Sequence, residues 1–299
     1  MSKRPWRVCA CMALVALALS GCAPKTGGLP PVPAENQAVS AVPKVAEGIS
    51  FVVEGQLMVI RGSKAEKVAA AGQVQAVGTG ADAGGLVVRD SAPATSAQVS
   101  WFQPGSGKFT ELWRSEEAGS LGAVRCMGKP DAVWFSVFGD PKTVLKSATP
   151  PGSEAMIRAL DSSFNGEFDV DALGDAIVYV SETQNPSVLT LRDSEGESAV
   201  PTELALIFSP DLAADGESLC FIGGQSATDL SVWVFDRGQG ELSELAQTRG
   251  LGPTVPVFSA DGVNVAFRSA EDGALWVVDV AGGKPQKLPF TADEGPIGW

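Results

Sequence analysis

Histidine is absent from all 299 residues, and with it go Ser-His-Asp and Cys-His nucleophilic pairs and every metal site built on imidazole. Asparagine is scarce. Asn36, Asn165, Asn185 and Asn264 are the whole supply, which leaves little for a carboxylate-asparagine cage around a central metal. Beyond the first 22 residues cysteine occurs only at Cys126 and Cys220. They fall on different expected strands, and two readings stay open: buried thiols acting as small hydrophobes, or a bridge formed in an oxidising compartment. The N-terminal apolar run, Val8 to Leu19, is too short for a permanent bilayer span. Basic residues are few, 22 against 35 acidic, for a net charge of -13. A surface of that sign repels phosphate backbones, so nucleic acid is not an expected partner.

What the chain does have is 44% hydrophobic residues, 34 glycines and 20 prolines. It can bury a large core while turning often, which points to an all-β protein. Lys3, Arg4 and Arg7 precede the apolar run, in the order of a secretory signal covering residues 1-21. Its end, Leu19-Ser20-Gly21-Cys22, resembles the bacterial lipobox. The resemblance implies a diacylglycerol thioether on Cys22 and an envelope location: the outer membrane facing the periplasm in a Gram-negative host, the extracytoplasmic face of the plasma membrane in a Gram-positive one. Residues 22-47 follow, with Pro24, Pro30, Pro31, Pro33 and Pro43 and no aromatic after the cysteine. Such a segment cannot bury enough surface to fold and prefers extended geometry, so it is expected to be a tether with a reach on the order of 75 Å.

The remainder, 48-299, is organised around a repeat. Val255 to Phe258, Val263 to Phe267, Ala274 to Val278 and Pro285 to Leu288 are four strand-length runs separated by Ser259-Ala260-Asp261-Gly262, Glu271-Asp272-Gly273 and Gly282-Gly283. The stretch before it repeats the pattern from Phe208-Ser209-Pro210-Asp211 to Leu245. Trp233 and Trp276 lie 43 residues apart, one four-stranded blade by length.

Over Ala205 to Leu288 these residues resemble the WD40-like repeats of the TolB-type β-propeller, whose blades carry Ser-Pro-Asp-Gly before one apolar strand and an Asp with two glycines after the next. The resemblance implies an envelope protein that docks partners on propeller loops. At ~42 residues per blade, 48-299 makes about six blades. The expected fold is therefore a six-bladed β-propeller of four-stranded antiparallel blades. The first blade, opening at Ile49 to Val53, lacks an inner strand, and Gly295-Pro296-Ile297-Gly298-Trp299 is expected to supply it and close the ring. Earlier blades are expected to use Val74 to Val77, Leu86 to Arg89, Gln98 to Phe102 and Lys108 to Trp113, then Leu121 to Cys126, Ala132 to Val137 and Thr143 to Lys146. Ser153 to Leu160 reads as a strand or a short helix, and Phe168-Asp169-Val170-Asp171 as a degenerate turn.

Asp211, Asp215 and Asp261 are expected to accept amides that close their own turns, and Trp113, Trp134, Trp233 and Trp276 to pack between blades. The loops on one face carry Asp229, Glu271, Asp272, Asp293 and Glu294, with Glu116, Glu117, Asp140, Asp161 and Glu182 from earlier blades. This acidic rim is the candidate contact for a basic protein surface. The favoured reading is a non-enzymatic binding or scaffold module with no catalytic residue, no metal site and no cofactor. Two alternatives stay open, a Ca²⁺-dependent lactonase-like hydrolase and a glycan- or peptide-capture lipoprotein.

Overall fold

The computed structural model describes residues 42-70, 86-90, 97-103, 108-115, 121-126, 133-138, 143-148, 156-158, 160, 164-171, 174-181, 187-295 and 297-299. All belong to one compact unit spanning residues 39-299. The expected signal, the lipobox cysteine Cys22 and the strand Val74 to Val77 lie outside the described residues.

Pro43 leads into a 3₁₀ turn, Lys44–Ala46, whose Ala46 is fully buried. The N-terminal sheet then runs β1 (Ser50–Val53), β2 (Gln56–Arg61) and β3 (Lys64–Ala70). Glu54 and Gly55, at φ 51° and 69°, make the tight turn between β1 and β2, a left-handed pair that suits the twist of a two-residue hairpin.

Five blades follow, each an antiparallel meander. The first has three strands, β4 (Leu86–Asp90), β5 (Ala97–Gln103) and β6 (Lys108–Ser115). The second has β7 (Leu121–Cys126), β8 (Val133–Val137), β9 (Val144–Ala148) and β10 (Met156–Arg158), so the described centre of Ser153 to Leu160 is a strand. The third has β11 (Phe164–Val170), β12 (Ile177–Ser181), β13 (Val188–Asp193) and β14 (Gly196–Ala199). The fourth has β15 (Leu206–Leu212), β16 (Ser218–Gly224), β17 (Ser231–Asp236) and β18 (Glu241–Leu245). The fifth has β19 (Pro253–Phe258), β20 (Asn264–Ser269), β21 (Ala274–Asp279) and β22 (Gln286–Thr291).

Apolar clusters between successive sheets hold the stack together. Val99 and Trp101 meet Leu121, Val124 and Phe135; Trp134 and Leu145 meet Phe164, Phe168 and Tyr179. Val178, Val180 and Leu189 meet Ile207, Leu219 and Phe221; Cys220, Ile222 and Val232 meet Phe258, Val265 and Phe267. Leu275, Val277 and Leu288 of the fifth blade meet Ile49, Phe51 and Ile60 of the N-terminal sheet. A middle strand is therefore covered on both faces, which is why Ile177–Ser181 is buried at every position and reads as a continuous apolar run. Each fully buried phenylalanine contributes about 1.5 to 3 kcal/mol of transfer free energy. Two tryptophans pack between blades as expected, Trp113 5.2 Å from Phe135 and Trp134 buried against Phe164 and Tyr179, whereas Trp276 stacks at 6.3 Å on Phe267 of its own blade.

This arrangement corrects the expectation of six four-stranded blades closed by a C-terminal strand. Among the described residues five blades run from β4 to β22, and the N-terminal sheet has three strands. Among the described C-terminal residues none lies in a strand, and Gly298 pairs in an isolated bridge to Ser50. Gly295, at φ 153°, departs from strand geometry just before it.

Candidate functional site

The rim carboxylates occupy two kinds of loop. In an antiparallel meander the turn between the second and third strands lies at the same end as the exit from the fourth. Asp229 sits in the β16-β17 turn, Glu271 and Asp272 in the β20-β21 turn, and Asp293 and Glu294 just past β22.

The fold gathers the last four through backbone pairing. Gly273, at φ 70°, presses so closely on the β22 exit that an added Cβ would stand 2.7 Å from the Ala292 carbonyl oxygen. The Ala292 amide in turn donates to the Gly273 carbonyl at 2.8 Å. One residue on, the Asp293 amide donates to Val52 O at 2.8 Å, and Asp293 Oδ2 accepts the Gly55 amide at 3.2 Å. The β20-β21 turn, the β22 exit and the β1-β2 hairpin thus meet at one end of the molecule.

Charge on this end is partly compensated. Asp272 accepts from Lys287 Nζ at 2.7 Å and from the Ala274 amide at 3.0 Å; the lysine bond chiefly holds its carboxyl below the usual range. Asp229 pairs with Arg249 at 3.3 Å, and the same guanidinium reaches Glu244 at 2.7 Å. Glu271 and Glu294 are exposed, and their side chains have no hydrogen bond or ion pair among the described residues. With Asp293, whose carboxylate meets a backbone amide and no cation, they carry the rim's uncompensated charge. Glu116, Glu117, Asp140, Asp161 and Glu182 lie outside the described residues.

A second set of acids lies along the inner strands, and sequence reasoning placed it differently. Asp261 and Asp215 do close their own turns, accepting the Val263 amide at 3.1 Å and the Glu217 amide at 2.9 Å. Asp211 does not. Its Oδ2 accepts the Phe258 amide of the next blade at 2.8 Å. Asp169, in β11 and not in a turn, accepts the Leu212 amide at 2.7 Å, and Glu167 accepts the Ser209 amide at 2.7 Å. Asp171, at the end of the same stretch, supplies the turn by accepting the Asp175 and Ala176 amides.

Register and edge position explain why these amides are available. β15 is bulged between Phe208 and Asp211, with Ser209 at φ 49°, and β19 is irregular between Thr254 and Val257, with Val255 at φ 43°. The bulge frees the Ser209 amide; Leu212 and Phe258 are paired in register with Leu219 and Val265, and their amides are free because β15 and β19 are the edge strands of their sheets. The preceding blade's carboxylates accept all three. Arg125 of β7 starts the series, 3.2 Å from Asp169.

Burial pushes the Asp169 carboxyl up to about 6 against the pull of Arg125. Burial, and then the charge of Asp169, raise Asp211 well above its ordinary range. Cys220, a free buried thiol paired in register with Asp211, is raised by the same burial. The spacing of Asp169 and Asp211, 42 residues, repeats the blade period and was the available sequence signal. The arrangement fastens one blade to the next and leaves both carboxylates occupied.

Among the described residues no group of three or more His, Cys, Asp or Glu side chains converges as a metal site. Two tryptophans of the sugar-stacking alternative are covered on a face by lysine, Lys146 over Trp113 at 5.4 Å and Lys287 over Trp276 at 5.6 Å.

The sheets define an all-β propeller. The chain is similar in fold to TolB from Acinetobacter baumannii, with a TM-score of 0.69 and 16% identity over 88% of this chain and 68% of that one. It is also similar to a TolB protein from Agrobacterium tumefaciens, at TM-score 0.55 and 18% identity over 66% of this chain and 70% of the other. A chain of a nidogen–laminin complex matches at TM-score 0.63 and 12% identity, covering 84% of this chain and 98% of that one. No family model matches the sequence, and no curated protein does.

Proposed function

We propose that the chain is a lipid-anchored bacterial envelope protein whose propeller is a non-enzymatic binding module, and that a basic partner protein docks on its acidic end. The observation that carries this reading is the meeting of the β20-β21 turn, the β22 exit and the β1-β2 hairpin, which sets the unpaired Glu271 and Glu294 on one rigid platform. Similar propellers support it, since one occurs in a complex between two proteins. The lipobox resemblance at Cys22 supports the anchor, with the expected tether 22-47 as the spacer up to residue 42, where the described chain packs onto the propeller.

The test is crosslinking in cells followed by mass spectrometry, comparing the native chain with the Glu271→Lys, Glu294→Lys double variant. Neither residue loses a partner on substitution, so the fold is retained while the rim changes sign. Loss of one or more crosslinked proteins, restored at neither site by a single reversal to glutamine, supports the reading. Raised ionic strength slows the same association. An unchanged crosslink pattern, or turnover of a lactone or ester that Ca²⁺ supports and chelation abolishes, refutes it.

A further inference from the structure

Sheets in a propeller fan outward, so the wedge between two neighbours widens toward their outer strands and needs larger side chains to fill it. Between β22 and the N-terminal sheet the filling is incomplete. Phe51 and Phe290, with ring centroids 5.9 Å apart, close the inner part. Outside them stays an open cavity of about 330 Å³ walled by Val53, Met58 and Ala65 on one side and by Pro289 and Phe290 on the other, with Glu54 at its end.

We propose that this wedge is the docking groove for a proline-rich segment of the partner protein, held in polyproline II conformation and flanked by a basic residue. The proposal rests on the binding reading above and names the chemistry of its partner. The volume is at the low end for ligand pockets, enough for one or two apolar side chains. Aromatic and aliphatic walls suit polyproline II segments, which lose little chain entropy on binding because they are already extended.

Strand addition, the other way to bind an extended peptide, is disfavoured here. Pro289 lies within the outer strand β22 and has no amide proton to donate, so a strand added to that edge forfeits a ladder bond.

Charge selects the flanking residue. Glu54 lines the groove and is exposed, and the Asp293 carboxylate that holds Gly55 stands beside it. Of the nearby cations, Lys287 is committed to Asp272 and Arg61 to Glu66, while Lys67, opposite Met58 in register, stands alone against the two carboxylates. The end of the groove is net acidic and complements arginine or lysine.

The test is fluorescence anisotropy of the full chain, purified in detergent, with the fluorescein-labelled peptide Arg-Leu-Pro-Pro-Leu-Pro. Saturable binding is expected with a dissociation constant below ~1 mM. Exchange of the peptide's arginine for glutamate, or of its prolines for alanine, weakens it by about tenfold or more, a difference of 1.4 kcal/mol. In the protein, Phe290→Ala and Glu54→Lys each do the same. Phe290 also packs against the core, so Glu54→Lys, which disturbs no side-chain contact, is the decisive variant if the first unfolds. Absence of saturable binding, or binding equal in native chain and Glu54→Lys, overturns the groove proposal. Either result leaves the crosslinking outcome at Glu271 and Glu294 to stand or fall by itself. Self-association in sedimentation that Glu54→Lys abolishes would place a second copy of the chain in the wedge and equally overturn it.

Discussion

Asp211 and Phe258 sit 47 residues apart in sequence, and one hydrogen bond of 2.8 Å from the Phe258 amide to Asp211 Oδ2 joins the inner strands of consecutive blades. β19 is the edge strand of its sheet, so the outward Phe258 amide has no ladder partner, and the buried carboxylate of the blade before it is the acceptor. Asp169 stands in the same relation to Leu212.

Removing the acceptor leaves a buried donor without a partner. Asp211→Ala is expected to lower stability by ~1 to 3 kcal/mol in urea denaturation. Asp211→Asn keeps an oxygen for the Phe258 amide and costs less. Asp261→Ala, which loosens only its own exposed turn, also costs less than Asp211→Ala. Equal losses at 211 and 261 would mean both residues serve turns alone.

The pH dependence follows from the raised carboxyl at Asp169. Its folded value of about 6 exceeds the ordinary value of 3.8, so the folded state binds more proton than the unfolded state between them. The contribution to stability is fully present below pH ~4 and is lost as pH rises through ~6. Asp169→Asn mimics the protonated form and cannot titrate. The melting temperature of the native chain minus that of this variant should therefore fall between pH 4 and pH 7. A difference independent of pH would show that Asp169 does not titrate in this window.

Trp299 is 7% exposed and donates from Nε1 to the Glu47 carbonyl at 3.0 Å. It packs with Ile49 and Ile297 beside Gly48, whose φ of 93° lets the backbone pass under the indole. Trp299→Ala is expected to cost ~3 to 5 kcal/mol and to speed hydrogen exchange at the Ser50 and Gly298 amides, which pair with each other's carbonyls. Native-like exchange at both amides in the variant would show that the bridge does not depend on the tryptophan.

Cys22→Ser should abolish labelling by a tagged fatty acid and leave the chain unprocessed or in the soluble fraction. Labelling that survives the substitution places the lipid, if any, elsewhere.

Legibility varied with the kind of interaction. The strands of the last two blades were readable because each turn declares itself locally: Asp261-Gly262, Asp272-Gly273 and Gly282-Gly283 need only their own backbone angles. The β4 and β5 positions also match the runs Leu86 to Arg89 and Gln98 to Phe102. The inner-strand acids were not. Asp211 follows Ser209-Pro210 and looks like a turn aspartate, and Asp169 sits in a motif that imitates that turn. Which amide each accepts depends on the neighbouring blade's register, and short-range patterns carry no information about that.

From sequence alone come the all-β class, the blade period, the turn residues, the strongly acidic balance and the exclusion of imidazole chemistry, since each is a property of composition or of residues a few positions apart. Tertiary structure decided which sheets have three strands and that the C-terminal residues contribute a single bridge. It decided too that Asp272 and Asp229 are neutralised while Glu271 and Glu294 are not, and that Asp169 and Asp211 fasten blades. Those outcomes depend on distances between residues tens of positions apart, and only the packing of one sheet on the next sets such distances.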